Sequence, residues 1–151
     1  MNESITIRDA QSSEFDGIFA LHKKLFRSEI DERWGWDEQN QLDNFTNEWQ
    51  SHQFISVLVA DDLIGYVQSS EEADHIYLHS IGFIEAFRRK GLAKKILKKV
   101  LINAQNIGKD VRLSVSPKNN IALKLYSTLG FEIDSVDGTS VRYIKKHLRT
   151  E

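Results

Sequence analysis

Apolar residues alternate with polar ones in some stretches of this chain and recur every three or four positions in others. Ile5 and Ile7 alternate with polar neighbours, which predicts a short strand over 4–9. Ser12 or Ser13 can cap the helix that follows; Phe15, Ile18, Phe19, His22, Leu25 and Phe26 share its inward face through residue 27. Residues 28–36 carry no period and read as irregular. A second helix is expected from Asp37 to Gln50, with Leu42, Phe45 and Trp49 inward. The apolar runs 53–60 and 63–70 flank Asp61-Asp62 as an antiparallel hairpin, although its turn lacks the preferred glycine. Residues 74–83 make a fourth strand.

Leu92, Ala93, Ile96, Leu97, Val100, Leu101, Ala104 and Ile107 then recur at helical spacing. Lys94, Lys95, Lys98 and Lys99 fill the other face, and Gly108 is a helix stop. A strand over 111–116 and a helix over 118–129, stopped by Gly130, come next. Strands 131–136 and 139–146 close the chain as a hairpin about Asp137-Gly138. The order β-α-α-β-β-β-α-β-α-β-β predicts one mixed α/β (α+β) domain over residues 1–151. Its sheet is mostly antiparallel, with helices packed on it.

Composition narrows the chemistry. A length of 151 residues suits a single domain with a full core. The net charge of −2 supplies no global field for nucleic acid or an anionic membrane, though a local basic patch stays open. With no cysteine there is no disulfide, thiol nucleophile or Cys-ligated metal. The N-terminal MNESITIRDA has no signal-like apolar core, and no apolar run is long enough to span a bilayer, so a cytoplasmic protein is expected.

The stretch 87-FRRKGLAKKIL-97 sets three cations and a glycine at a helix start, where the helix field repels cations. An anion there gains backbone hydrogen bonds and field, and glycine lets it approach. A pyrophosphate cradle and a solvated basic turn both satisfy these residues. There is no GK[ST] phosphate loop and no three-glycine dinucleotide fingerprint.

A second stretch, 119-NNIALKLYSTLGF-131, is more specific. Arg88-Arg89-Lys90-Gly91-Leu92-Ala93 fits the pattern Gln/Arg-x-x-Gly-x-Gly/Ala. Asn119, Ala122, Leu125, Tyr126, Gly130 and Phe131 fit Asn-x-x-Ala-x-x-Leu-Tyr-x-x-x-Gly-Phe. On these motifs the chain resembles the GNAT superfamily of acetyl-CoA-dependent N-acetyltransferases. The motif resemblance covers residues 76–131; the earlier part matches only in element order.

The resemblance implies the GNAT fold, a mixed sheet of seven strands with helices on both faces. It implies acetyl-CoA as co-substrate, an amine acceptor and no metal. It assigns the pyrophosphate to Arg88, Arg89, Lys90, Gly91, Leu92 and Ala93. It places Asn119 by the pantetheine, where Asn119 can equally cap its helix. It splays the fourth and fifth strands, so that Ile81, Gly82 and Phe83 offer an edge to the pantetheine and an N–H to the thioester carbonyl. Gly82 can also mark a β-bulge. Tyr126 holds the position that protonates the departing thiolate in the family, and its helical spacing fits packing too.

Deprotonating the amine calls for a base. His79 has a suitable ordinary pKa of about 6.5, and a catalytic group occurs near this point in some family members; a hydrogen-bonded structural histidine is the other reading. His75 and Tyr77 share its face, so a base acting through water is open, while Glu71 and Glu72 read as a solvated strand end. The segment 33-RWGWDEQNQ-41 overhangs the acceptor site in the family's layout. Trp34 and Trp36 can line it or anchor a loop, and Asp37 can draw an ammonium or cap a helix. Three functions compete: an N-acetyltransferase on a small or protein amine, an idle acyl-CoA-binding module, and a nucleic-acid-directed enzyme. Retention of Tyr126 and Gly91 argues against the second, and the net charge against the third. No stripe marks an interface, so a monomer and a homodimer are both open.

Overall fold

A computed structural model describes residues 4–88 and 91–148; Arg89 and Lys90 of the basic stretch lie outside it. The strands are β1 (Ile5–Asp9), β2 (Gln53–Val59), β3 (Asp62–Glu71), β4 (His75–Phe83), β5 (Asp110–Val115), β6 (Glu132–Val136) and β7 (Val141–Lys145). The helices are α1 (Phe15–Trp34), α2 (Glu38–Ser51), α3 (Leu92–Asn106) and α4 (Asn120–Thr128). The seven strands form one sheet in the order β1-β2-β3-β4-β5-β7-β6. β4 and β5 pair in parallel; β1–β2, β2–β3, β5–β7 and β6–β7 pair antiparallel. This is the mixed, mostly antiparallel sheet flanked by helices that the element order predicts.

The chain divides into two compact units, one ending at Ser69 with Ser80–Arg88 added, the other holding Ser70–His79 and the remainder. In the first unit Ile18, Phe19 and Leu21 of α1, Phe45 of α2, Phe54 of β2 and Tyr66 of β3 form a buried cluster. Phe45 sits at its centre, with ring centroids 5.3 Å from both Phe19 and Phe54. Burying a ring of this kind contributes roughly 1.5–3 kcal/mol. In the second unit α3 packs on β5 and buries Leu92, Ile96, Leu97 and Ala104. Val111, Leu113, Tyr143 and Ile144 are buried on β5 and β7, while every residue of the edge strand β6 is exposed.

Four local details differ from the expectation. Residues 28–34 are helical, not irregular: α1 runs on to Trp34 and stops where Gly35 turns to φ +79°. That last stretch is polar, so it shows no stripe, yet it contains ordinary helix formers and a Glu29–Arg33 pair at 3.6 Å. Neither Ser12 nor Ser13 caps α1; both lie in a 3-10 turn. The backbone N–H of Gln11 donates to the Glu14 carboxylate at 2.8 Å, and Arg8 grips both oxygens of that carboxylate at 2.6 and 3.1 Å. The β2–β3 turn is Ala60-Asp61, one residue earlier than expected, with φ of +49° and +68°. Asp tolerates the left-handed region better than most residues, and the hairpin twist rewards it. A further 3-10 turn, Glu85–Phe87, follows β4.

Candidate active site

In the first unit, β4 ends at Phe83, and the 3-10 turn then delivers Arg88 in extended conformation. Arg88 Nε donates to the Phe83 carbonyl at 2.9 Å, which fixes the guanidinium. In the second unit, Gly91 caps α3 at φ +75° and ψ 8°, a conformation that disfavours side chains. The space a Cβ would occupy at Gly91 is open to at least 4 Å. The Gly91 carbonyl accepts from Lys95 N at 3.1 Å, closing the first helical turn. The N–H groups of Leu92, Ala93 and Lys94 begin α3 without helical carbonyl partners, as at any helix start. Leu92 is buried and anchors the turn. The sequence of α3 therefore supplies donors, a partial positive charge and no obstructing side chain, a setting that favours an anion.

Ile81, Gly82 and Phe83 form the end of β4. The parallel register of β4 with β5 covers only His75↔Asp110, Ile76↔Val111 and Tyr77↔Arg112, and β4 continues beyond it to Phe83. A Cβ at Gly82 would lie 2.8 Å from Leu25 Cδ1 and 3.2 Å from Phe26 Cζ. Glycine thus eases the close packing of α1 here, a reason that neither a ligand nor a bulge had suggested.

His75, Tyr77 and His79 line one face of β4, with Tyr77 centred 6.4 Å from His75 and 4.7 Å from His79. His79 Nε2 lies 2.8 Å from Ser70 Oγ, and Ser70 donates to Glu72 Oε1 at 2.9 Å. Ser70 is buried. Glu72 is held by its own backbone: its N–H donates to the His75 carbonyl at 2.8 Å, and its carbonyl accepts from Lys109 Nζ at 2.7 Å. Glu72 therefore has a defined partner, which its position at a strand end did not suggest. The link needs the β3–β4 turn to bring 70 and 72 beside 79, and no local motif records that.

Tyr126 is buried to 6 % exposure on α4, its ring 5.4 Å from Phe131 and 6.0 Å from Tyr143. Burial raises its phenol to about 12. Its hydroxyl makes no hydrogen bond to a described residue and is not wholly sealed, since no fully buried side-chain oxygen lacks a partner among the described residues. Asn119 caps α4, its side chain accepting from Ala122 N at 3.1 Å.

The 34–37 segment belongs to the first unit. Trp34 is 73 % exposed and carries Arg33 over its ring at 4.9 Å. Trp36 holds Arg27 at 5.2 Å and donates from its indole to Glu38 at 3.2 Å. Asp37 caps α2, accepting from Asn40 N at 2.9 Å. Beneath them lies a polar group that sequence reasoning missed. His22 Nε2 is 3.1 Å from Gln41 Oε1, and Nδ1 is 3.2 Å from the hydroxyl of fully buried Tyr66. Rings of Phe19, Phe26, Trp36 and Phe45 surround His22. Burial lowers the His22 pKa and raises that of Tyr66. Among the described residues, no cluster of three or more His, Asp or Glu side chains is placed to hold a metal. No helix is long and apolar enough to cross a membrane.

Comparison with known proteins agrees with this architecture. The Acetyltransferase (GNAT) family model matches residues 15–131, so the chain belongs to that family. Among curated proteins it is 26 % identical over 131 residues to aminoglycoside N(6')-acetyltransferase type 1 of Salmonella typhimurium, covering 83 % of this chain and 90 % of that protein. It is 24 % identical over 148 residues to histone acetyltransferase MCC1 of Arabidopsis thaliana, covering 85 % of this chain but only 60 % of the relative's length. Among solved structures, PaiA N-acetyltransferase of Thermoplasma acidophilum, in complex with coenzyme A, superposes with a TM-score of 0.77. The match has 16 % identity and covers 95 % of this chain and 99 % of that one.

Proposed function

We propose that this chain transfers the acetyl group of acetyl-CoA to a primary amine by direct attack in a ternary complex. The observation that supports the reading is Tyr126: a ring locked among Phe131 and Tyr143, with a hydroxyl that bonds to no described residue. An idle binding module has no use for such a phenol. In this reading the α3 N-terminus, Gly91 and the basic residues 88–90 take the pyrophosphate of acetyl-CoA, and Asn119 and Ile81–Phe83 flank the pantetheine. A backbone N–H near Gly82 or Phe83 polarises the thioester carbonyl.

The protons balance as follows. The ammonium of the acceptor gives one proton to His79, which passes it to solvent. The amine nitrogen attacks the thioester carbon, the C–S bond breaks, and the second nitrogen proton ends on the sulfur. A phenol near 12 is a weaker acid than a thiol of ordinary pKa about 8.5, so Tyr126 serves first as a hydrogen-bond donor to the departing sulfur.

The relatives' names include a small-molecule and a protein acetyltransferase, so the acceptor class stays at a primary amine of either kind. A cytoplasmic setting belongs to the same reading and is supported by the absence of cysteine. The test is calorimetric titration with acetyl-CoA, using S-acetylpantetheine without phosphates as control. A panel of an aminoglycoside, a peptide with a free N-terminus and a lysine peptide follows. Saturable binding of acetyl-CoA alone, followed by turnover on one amine class, supports the assignment. Equal affinity for both donors removes the pyrophosphate site, and binding without turnover on any amine restores the idle-module reading.

A further inference from the structure

The hydroxyl of Ser70 has one hydrogen. It is donated to Glu72 Oε1, because a carboxylate only accepts. The contact at 2.8 Å with His79 Nε2 must then run the other way: Nε2–H donates and Ser70 Oγ accepts. A neutral imidazole carries one proton, so Nδ1 holds the lone pair. When Nδ1 gains a proton, the ring becomes cationic, its Nε2–H bond strengthens, and the carboxylate stabilises the charge through Ser70. Ser70 is buried, the Glu72 backbone is held by two hydrogen bonds, and the Tyr77 ring lies 4.7 Å from that of His79.

We infer that Ser70 and Glu72 are positioning residues that hold His79 as its Nε2–H tautomer and raise the proton affinity of Nδ1. The inference deepens the reading of His79 as the base and rests on it. Nearby in sequence, Glu71 pairs with Lys109 at 3.5 Å and Asp74 with His75 at 2.7 Å. Both pairs are internally matched, whereas Glu72 is the carboxylate bonded to the serine that His79 meets.

The test is ¹⁵N NMR of the His79 ring across pH, with turnover measured against pH, in wild type, Ser70→Ala, Ser70→Thr and Glu72→Gln. Wild type should show the Nε2–H form. Ser70→Ala should mix the tautomers, and Ser70→Thr should restore the single one. Glu72→Gln should lower the His79 midpoint by about 0.5 pH, and the acidic limb of the rate profile should move with it. Acetyl-CoA affinity should not change in any of these variants. An Nδ1–H form in wild type, or an unchanged tautomer and midpoint in Ser70→Ala and Glu72→Gln, overturns the inference. His79→Gln separates the two claims. If it keeps the wild-type pH profile, the base reading falls and this inference falls with it. If it loses the acidic limb while the Ser70 and Glu72 variants match wild type, only the positioning role falls.

Discussion

His22 in the first unit and His79 in the second occupy opposite surroundings. His22 is ringed by four aromatic side chains, with both nitrogens engaged by Gln41 and Tyr66. Desolvation disfavours its charged form, so it is a neutral packing element. His79 lies exposed on a strand whose aromatic neighbours are Tyr77 and, one step further, His75. One of its nitrogens meets a serine that is itself bonded to a carboxylate. The same side chain is built into the core in one place and lies exposed on a strand in the other, where the proposed function gives it a proton to accept. What separates them is how much water and which partner each nitrogen meets.

The comparison can be broken from either side. The largest effect belongs to the aromatic cage: Phe45→Ala should cost about 3–5 kcal/mol in chemical denaturation, with per-molecule turnover of the folded fraction little changed. If turnover falls in proportion to stability, the cage is not merely structural. Next, His79→Gln should reduce turnover by about a hundredfold at neutral pH while the denaturation midpoint stays near wild type. Full activity in that variant would move the base elsewhere. Tyr126→Phe should lower turnover by about tenfold, roughly 1.4 kcal/mol of transition-state stabilisation, and leave acetyl-CoA affinity intact. Equal turnover would reduce Tyr126 to packing.

The smallest effect is the pH dependence of stability set by His22. Its folded pKa is depressed, so below about pH 6.5 the unfolded chain binds a proton that the folded one refuses. The stability tied to His22 is complete above that pH, declines as pH falls toward the folded midpoint, and is lost no further below it. Thermal scans of wild type and His22→Gln between about pH 7.5 and 5 should converge as the pH drops. Parallel curves would mean that His22 has the same pKa in the folded and unfolded chain.

Sequence and structure agree where a local pattern is strong. The α3 stripe, the Asn119 cap and the occurrence of all seven strands along the chain follow from spacing within short windows. The end of α1 was illegible because 28–34 is polar and helical at once, and only Gly35 marks the stop. The Ala60-Asp61 turn was shifted because Ala60 takes a left-handed φ that its residue type does not advertise. The groups joining His22 to Tyr66 and Ser70 to His79 bridge 44 and 9 positions, so they exist only once strands and helices have found their register. The Trp36 ring and the Asp37 carboxylate each meet partners within their own segment, Glu38 and Asn40 respectively.

The spacing of β3 and β4 also limits how this scaffold can be diversified. A methyl group at residue 65 would sit 2.6 Å from the Gly82 carbonyl oxygen, a backbone atom that cannot swing aside. At residue 82 the nearest obstruction is the tip of Leu25, a flexible side chain that can yield. At Gly138 nothing lies within 4 Å. A saturation library read by deep sequencing should therefore recover glycine alone at 65, glycine with some alanine at 82, and a broad spread at 138. An engineer reshaping this enzyme for a bulkier acceptor should randomise elsewhere than at residue 65.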